Sequence, residues 1–199
     1  MVFFSWSILI FISGINLIFL SVLFSILILI FLYLIFFIPK FEYIKNRLIS
    51  FFDSERGTYN FQSDKAIESI TSGGYFGKGI GEGILKNRVP EAHTDYIISV
   101  ISEEFGVIAI ILILLLFLIF TYSVLKKVYL ENENKIKLIL TGCVSLILMQ
   151  AIIHIGVNIR LFPTTGMTLP YISYGGSSII SISILSGIIL NLTKRKIIY

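Results

Sequence analysis

The hydrophobic positions of this chain form long, uninterrupted runs. Asp, Glu, Lys and Arg are absent from four stretches: 1–38, 105–125, 138–159 and 161–193. A membrane-spanning helix needs about 20 consecutive apolar residues. The pattern therefore predicts an all-α polytopic membrane protein with four full spans, at 17–38, 97–125, 138–159 and 171–192.

The first 38 residues are too long for one span. A single helix of that length would measure about 55 Å, against a hydrocarbon core of about 30 Å. Ser13, Gly14 and Asn16 favour a break between two helices. The remaining segment, 2–12, would be about 16 Å long, which predicts a partial span.

Composition supports the membrane assignment and excludes other classes. The chain is 56% hydrophobic and only 14% charged, whereas a soluble domain carries roughly 25% charged residues. A water-soluble globule, a disordered tail and a nucleic-acid-binding protein are excluded, despite the net charge of +4. The single cysteine, Cys143, lies in an apolar run, which excludes a disulfide framework and a thiolate metal site.

Basic residues predict the orientation. The short 126–137 loop carries four lysines, and the end of the chain carries Lys194, Arg195 and Lys196, whereas the 160–170 loop carries only Arg160. Because short cytoplasmic loops are rich in Lys and Arg, we expect the 126–137 loop and the carboxyl terminus to face the cytoplasm. The long 39–96 loop would then face outward.

The outer loop has three parts. Residues 40–56 mix basic and aromatic side chains, as a membrane-surface segment does, and 60–72 predict a short polar helix. The glycine-rich stretch 73–83 lacks the G-x-G-x-x-G spacing of a dinucleotide site and follows no strand. A close-packed loop is therefore favoured over nucleotide binding.

A second candidate region begins where the chain re-enters the membrane. If 95–106 is helical, Asp95, Ser99, Glu103 and Gly106 lie on one stripe, which should face protein or a water-filled cavity. The alternative is that the acidic residues only cap a helix at the interface. His93 is a weak metal-ligand candidate, because no second His or Cys lies at ligand spacing.

The third region, 163–178, interrupts an apolar stretch with prolines and glycines. Irregular backbone at membrane depth must pack on protein or line a cavity. The serines here, Ser177 among them, favour helix packing. Gln150 and His154 lie four residues apart in the preceding span, and interhelical hydrogen bonds are favoured for them over proton transport.

Three strings carry a resemblance to a known family: GGYFGKGIGEG (73–83), PEAHTDYIISVISEEFG (90–106) and PTTGMTLPYISYGGSS (163–178). In this order and at this spacing they closely resemble the SEDS family, the FtsW/RodA/SpoVE-type peptidoglycan glycosyltransferases. The third string is more similar to the FtsW division branch. The match covers only the second half of that family's fold, so we expect the chain to be an amino-terminally truncated form.

The resemblance implies a polymerase of lipid II at the outer face of the bacterial cytoplasmic membrane. A sugar 4-hydroxyl attacks the anomeric carbon of a lipid-linked donor and releases undecaprenyl pyrophosphate. The family's carboxylate falls on Asp95, the expected general base. Substrate-binding candidates are Lys78, Lys86, Arg88, His93, Thr94, Arg160 and Ser177. No cofactor or resident metal is expected, although a divalent cation could bridge the pyrophosphate.

The resemblance also implies partners, namely a class B penicillin-binding transpeptidase and other divisome proteins. Two alternatives stay open at this point. One is a lipid II flippase, which would use Gln150, His154 and Arg160. The other is an inactive fragment that only binds division partners, and we expect the isolated chain to be inactive.

Overall fold

The computed structural model describes residues 1–52, 61–88 and 91–194. Those residues form nine α-helices and one 3₁₀ turn, Pro39–Phe41, and contain no strand. The helices are α1 (Val2–Ile12), α2 (Leu17–Phe37), α3 (Glu42–Phe52), α4 (Phe61–Gly73), α5 (Leu85–Arg88), α6 (Ile97–Phe105), α7 (Val107–Leu130), α8 (Asn134–Asn158) and α9 (Gly176–Thr193).

Four of these helices, α2, α7, α8 and α9, are long and apolar enough to cross a membrane. The predicted all-α, multi-pass membrane architecture is thereby confirmed. In the most apolar 18 residues of α2 and of α7, only 6% of the residues are buried inside the protein, whereas 44% are buried in the corresponding part of α8. Helix α8 is therefore the centre of the bundle, and α2 and α7 present apolar faces suited to lipid.

The predicted break near residue 14 is confirmed. Helix α1 ends at Ile12, and Gly14 adopts a φ of +89°, which costs a glycine little. Asn16 then starts α2, because its side-chain Oδ1 accepts a hydrogen bond from the backbone N–H of Ile18 at 3.0 Å. The turn allows α1 to fold back and pack against α8.

Residues 97–125, predicted as one span, form two helices joined at Gly106, and α7 continues to Leu130. Gly106 has a φ of +80°, and a Cβ there would lie 2.1 Å from the carbonyl oxygen of Tyr75. The glycine-rich loop causes this close approach. The backbone N–H of Lys78 donates to the backbone carbonyl oxygen of Glu103 at 2.8 Å, and the backbone N–H of Val107 donates to the carbonyl oxygen of Gly74 at 3.0 Å. The prediction of a close-packed glycine loop is confirmed.

Two other predicted elements differ at their ends. The last span begins at Gly176 instead of residue 171, because 171–175 are held by side chains described below. The predicted polar helix at 60–72 corresponds to α4, and the membrane-surface segment to α3. Residues 53–56 and 60 of those predictions lie outside the described residues.

The two ends of the bundle differ in charge. Lys127 and Lys194, at the ends of α7 and α9, line the same 640 Å³ cavity, so the lysine-rich loop and the end of α9 share one side. At the other end, where α8 finishes, α4, α6 and the 159–175 segment meet around Asp95.

Candidate functional site around Asp95

Asp95 lies in a turn just before α6. Its backbone N–H donates to the carbonyl oxygen of Glu91 at 3.0 Å, and its side chain is half-buried. The carboxylate lines a cavity of 280 Å³, whose described lining residues come from three parts of the chain: Gln62, Glu91, Asp95, Tyr96, Val157, Thr164, Thr165, Gly166 and Met167. Two of the motifs found separately in the sequence, 90–106 and 163–178, therefore meet at this cavity, whereas the described lining includes no residue of the glycine-rich stretch 73–83.

Gly166 of the 159–175 segment lies beside the Asp95 carboxylate. A Cβ at that position would lie 3.3 Å from the Oδ2 atom of Asp95. Gly166 also has a φ of +66°, in the left-handed region that side chains rarely adopt. A glycine at this position therefore meets both a backbone requirement and a space requirement.

Polar side chains of α8 hold this segment in place. The Nε2 atom of Gln150 donates to the Thr168 carbonyl oxygen at 2.9 Å and to the Ser178 hydroxyl on α9 at 3.0 Å. The Nδ1 atom of His154 lies 2.6 Å from the Met167 carbonyl oxygen, so Nδ1 must carry the proton that it donates. The predicted interhelical hydrogen bond is confirmed for Gln150, whereas His154 binds the irregular segment.

Two further contacts join the segment to the turn that carries Asp95. The Ser173 hydroxyl donates to the Thr94 carbonyl oxygen at 2.7 Å and accepts from the backbone N–H of Leu169 at 2.8 Å. The backbone N–H of Tyr174 donates to the His93 carbonyl oxygen at 3.2 Å. The prediction that this irregular backbone packs on protein and lines a cavity is confirmed.

Asn158, the last residue of α8, also contacts the turn. Its side chain is fully buried, and its Nδ2 atom donates to the carbonyl oxygen of Asp95 at 3.0 Å. Sequence reasoning missed this residue. The signal was present, because Asn158 lies four residues after His154 and eight after Gln150, on the same face of an otherwise apolar helix.

The surroundings of Asp95 raise its pKa above the ordinary aspartate value. Partial burial is the main cause, because it disfavours the charged form, and the negative charge of nearby Glu91 adds to it. A hydrogen bond from Thr94 opposes the rise. A carboxylate that holds a proton more readily is a better general base at neutral pH than a fully solvated one.

The predicted polar stripe on α6 is buried, since Ser99 and Ser102 are 0% exposed and Glu103 is 2% exposed. It faces protein, as predicted. Its first and last members differ, because α6 spans Ile97–Phe105, so that Asp95 stays in the preceding turn and Gly106 forms the junction with α7. Glu103 forms an ion pair with Lys78 at 2.9 Å and accepts a hydrogen bond from the backbone N–H of Leu85 at 3.0 Å.

None of the predicted cations whose side chains are described lines the Asp95 cavity. Lys78 and Arg88 line a separate cavity of 60 Å³ beside Glu103. The guanidinium of Arg160 pairs with Asp64 of α4 at 2.7 Å. Lys86 belongs to α5, but its side chain lies outside the described part of the structure. Among the residues described, the Asp95 cavity has no basic lining residue.

The other predicted binding residues contribute in different ways. The backbones of His93 and Thr94 receive the hydrogen bonds from the 159–175 segment, and the His93 side chain is exposed. Ser177 is exposed in the first turn of α9 and is absent from the described lining of the cavity. Their roles in substrate binding stay predictions, as does a bridging divalent cation.

Comparisons with known proteins show to which family the chain is similar. A sequence profile of the FtsW/RodA/SpoVE family, described as cell cycle proteins, matches residues 1–197. The chain is 37% identical over 156 residues to a protein of Caulobacter vibrioides named "Probable peptidoglycan glycosyltransferase FtsW", covering 78% of this chain and 40% of that protein. A protein of the same name from Geobacter metallireducens is 35% identical over 166 residues, covering 82% of this chain and 44% of that protein.

A solved structure is also similar. It belongs to a peptidoglycan synthase complex described as coordinating polymerization and crosslinking. The TM-score is 0.75 and the identity 25%, over 96% of this chain and 52% of that one. This chain thus spans about half the length of its structural relative, and less than half that of the two named proteins. The profile match, the two sequence relatives and the shared fold show that the chain belongs to the FtsW/RodA/SpoVE family of cell cycle proteins.

Proposed function

We propose that this chain supplies the catalytic half of a peptidoglycan glycosyltransferase that polymerises lipid II during septal cell-wall synthesis and cell division. The observation that carries the proposal is the position of Asp95, in a cavity lined by residues of the second and third motifs together with Gln62 of α4 and Val157 of α8. The names of the sequence relatives support the same activity, as does the likeness to a solved peptidoglycan synthase complex.

In the proposed reaction Asp95 is the general base. The 4-hydroxyl oxygen of the acceptor sugar forms a bond to the anomeric carbon of the donor, and the bond from that carbon to the pyrophosphate oxygen breaks. The hydroxyl proton passes to the Asp95 carboxylate, and undecaprenyl pyrophosphate leaves with inversion at the anomeric carbon. A positioned base of this kind contributes about 10²- to 10⁴-fold in rate.

We propose that the Asp95 cavity opens at the outer face of the bacterial cytoplasmic membrane. The lysine-rich loop and Lys194 lie at the opposite end of the bundle. The positive-inside tendency favours that end as cytoplasmic, which leaves Asp95 outside, where a polymerase must make its product.

Cation stabilisation of the leaving pyrophosphate is a separate proposal, and Arg160 is the residue to test first. It follows Asn158 by two residues, between Val157 and Thr164, which both line the Asp95 cavity. Its partner Asp64 is half exposed, so solvent weakens the pair and a pyrophosphate could replace the carboxylate. Lys78 is less available, because its partner Glu103 is buried.

We propose a class B penicillin-binding transpeptidase as the partner. The solved relative is part of a complex that couples polymerization with crosslinking, and this chain shares the fold of about half of that relative. Other divisome proteins would bind the assembled complex.

The transporter alternative receives no support from the contacts. Gln150 and His154 are bound to the 159–175 segment, and Arg160 is paired with Asp64. Side chains held in this way favour a structural role over a polar path through the bundle.

The test is lipid II polymerisation in membranes that contain this chain together with the separately expressed amino-terminal part of a relative. The wild-type chain, Asp95→Asn and Asp95→Ala are compared with Glu82→Gln, which removes an exposed acid of the glycine loop. We expect glycan strands from wild type and Glu82→Gln, and a loss of at least about 100-fold from both Asp95 variants. Equal product from the Asp95 variants would overturn the proposal. Transfer of labelled lipid II across vesicles without polymer would favour the transporter.

A further inference from the structure

We infer that Asn158 is a positioning residue for Asp95: its side-chain amide is inserted into the backbone hydrogen bonding between Asp95 and Ser99 and fixes the turn that carries the base. The inference rests on the proposed function, because it assigns Asn158 a role through Asp95. It concerns a residue at the end of α8, 63 positions along the chain from Asp95.

The side chain of Asn158 uses its full hydrogen-bonding capacity. Its Nδ2 atom donates to the carbonyl oxygens of Asp95, at 3.0 Å, and His154, at 2.9 Å. Its Oδ1 atom accepts from the hydroxyl of Ser99 at 2.7 Å and from the backbone N–H of Ser99 at 3.3 Å. An asparagine has two amide hydrogens and two acceptor positions, so none is left over.

These hydrogen bonds explain why α6 begins at Ile97 and does not include Asp95. In a continuous helix the Ser99 N–H would donate to the Asp95 carbonyl oxygen, four residues before it. Here the Asn158 side chain replaces that hydrogen bond. Its Nδ2 atom donates to the Asp95 carbonyl oxygen, and its Oδ1 atom accepts from the Ser99 N–H. The Ser99 N–H also donates to Tyr96 at 3.0 Å, which closes a tighter first turn.

The inserted amide therefore sets the direction of the Asp95 turn. Without it, Asp95 could join α6 as an ordinary helical residue, and the carboxylate would move relative to Gly166 and the cavity. A general base displaced by about 1 Å can lose about 100-fold in rate. Full burial protects the arrangement, because no water competes for the Asn158 amide.

The test compares Asn158→Leu, which is similar in size but forms no hydrogen bond, with Asn158→Asp, which keeps the acceptor and loses the donor. Ser145→Ala is the matched control, since Ser145 is a buried polar residue of α8 whose hydroxyl, among the described residues, donates to Gly142 of the same helix and to no other element. Each chain is assayed with the complementing amino-terminal part, and Asp95→Ala is included. We expect both Asn158 variants to lower kcat by about 10- to 100-fold, with a nearly unchanged KM for lipid II.

A second measurement needs no activity. Asp95→Cys and Gly166→Cys are combined in a Cys143→Ala background, and oxidative crosslinking is followed in membranes. The short distance between the Asp95 side chain and position 166 predicts a crosslink. We expect Asn158→Leu to reduce its rate several-fold, and Ser145→Ala to leave it unchanged.

The outcomes separate the inference from the proposed function. Polymerisation by Asp95→Ala would overturn the proposed function, whatever Asn158 does. Loss of activity in Asp95→Ala together with full kcat in Asn158→Leu would overturn the positioning role. An unchanged crosslinking rate would also overturn it. If Asn158→Leu is not recovered as folded protein, kcat and the crosslinking rate are measured in Asn158→Asp instead. That variant preserves the shape of the side chain and the hydrogen bonds that it accepts from Ser99.

Discussion

Two carboxylates eight residues apart, Asp95 and Glu103, have opposite surroundings. Glu103 is 2% exposed, pairs with Lys78 and accepts a hydrogen bond from the Leu85 backbone. Asp95 is half-buried at the edge of a cavity, has no ion pair with a described cation, and has another carboxylate, Glu91, as its charged neighbour.

The difference shows which carboxylate is available for chemistry. A buried carboxylate needs a charged partner and hydrogen bonds to offset its lost hydration, so Glu103 is committed to holding the glycine loop on α6. Asp95 is only partly desolvated, which raises its pKa but leaves room for a substrate hydroxyl. Both residues are acids on or next to the same helix, and their neighbours distinguish the structural role of Glu103 from the catalytic role proposed for Asp95.

The largest expected effect separates the two residues by activity. Asp95→Asn preserves size and removes the base, so we expect kcat to fall by about 10²- to 10⁴-fold. Glu103→Gln keeps an oxygen that can accept from Leu85 and lies outside the described lining of the Asp95 cavity, so kcat per folded molecule should change by less than about 3-fold. Initial rates of lipid II polymerisation, normalised to monodisperse protein, measure both. Similar losses of kcat in Asp95→Asn and Glu103→Gln would show that the two carboxylates do not differ in their contribution to activity.

A second difference should appear in stability. Glu103→Ala leaves Lys78 without its partner and the Leu85 N–H without an acceptor. Removing one member of a buried pair costs about 3–5 kcal/mol, but the Lys78 side chain is 33% exposed and can turn to solvent, so we expect about 2 kcal/mol. Thermal unfolding followed by size-exclusion chromatography measures the change. Asp95→Ala should unfold near the wild-type temperature, and an equal loss there would contradict the assignment.

A third prediction tests the space beside Asp95. Gly166→Ala puts a methyl group 3.3 Å from the Asp95 carboxylate and strains a backbone with a φ of +66°. Gly74→Ala is the matched control, because Gly74 has a similar φ of +58° and no atom within 4 Å of the added Cβ. Both variants should lose about 1–2 kcal/mol of stability from strain. Only Gly166→Ala should also lower kcat, by about 10-fold, and equal kcat values in the two would show that the contact is unimportant.

The sequence predicts the long spans because a span is recognised by its length and hydropathy, which are local properties of the sequence. It also locates the break near Gly14 and the polar stripe on α6, since both depend on local residues. It does not predict the division at Gly106, where the cause is the Tyr75 backbone packing from a distant loop. The spacing of Gln150, His154 and Asn158 marks a polar face on α8, but the role of Asn158 toward Asp95 is not predictable from it, because Ser99 and Asp95 lie 59 and 63 positions away.

The smallest predicted effect concerns pH. The Asp95 carboxylate must be unprotonated to act as a base, so activity should fall on the acid side as pH drops through its pKa, which is raised above the ordinary aspartate value by burial and by Glu91. Glu91→Gln removes a negative charge, stabilises the ionised form of Asp95 relative to wild type, and should move the acid limb of the kcat profile to lower pH. Below the wild-type limb the variant should therefore be the more active enzyme. Glu133→Gln, in the loop at the other end of the bundle, should leave the acid limb in place.

Added salt tests the same charge in a second way. Because Glu91 is exposed, salt should screen its charge and move the acid limb of the wild type to lower pH as well, with a smaller salt effect in Glu91→Gln. A limb that stays fixed in Glu91→Gln would mean that burial alone raises the pKa, and a limb that moves to higher pH would mean that Glu91 stabilises the charged form of Asp95.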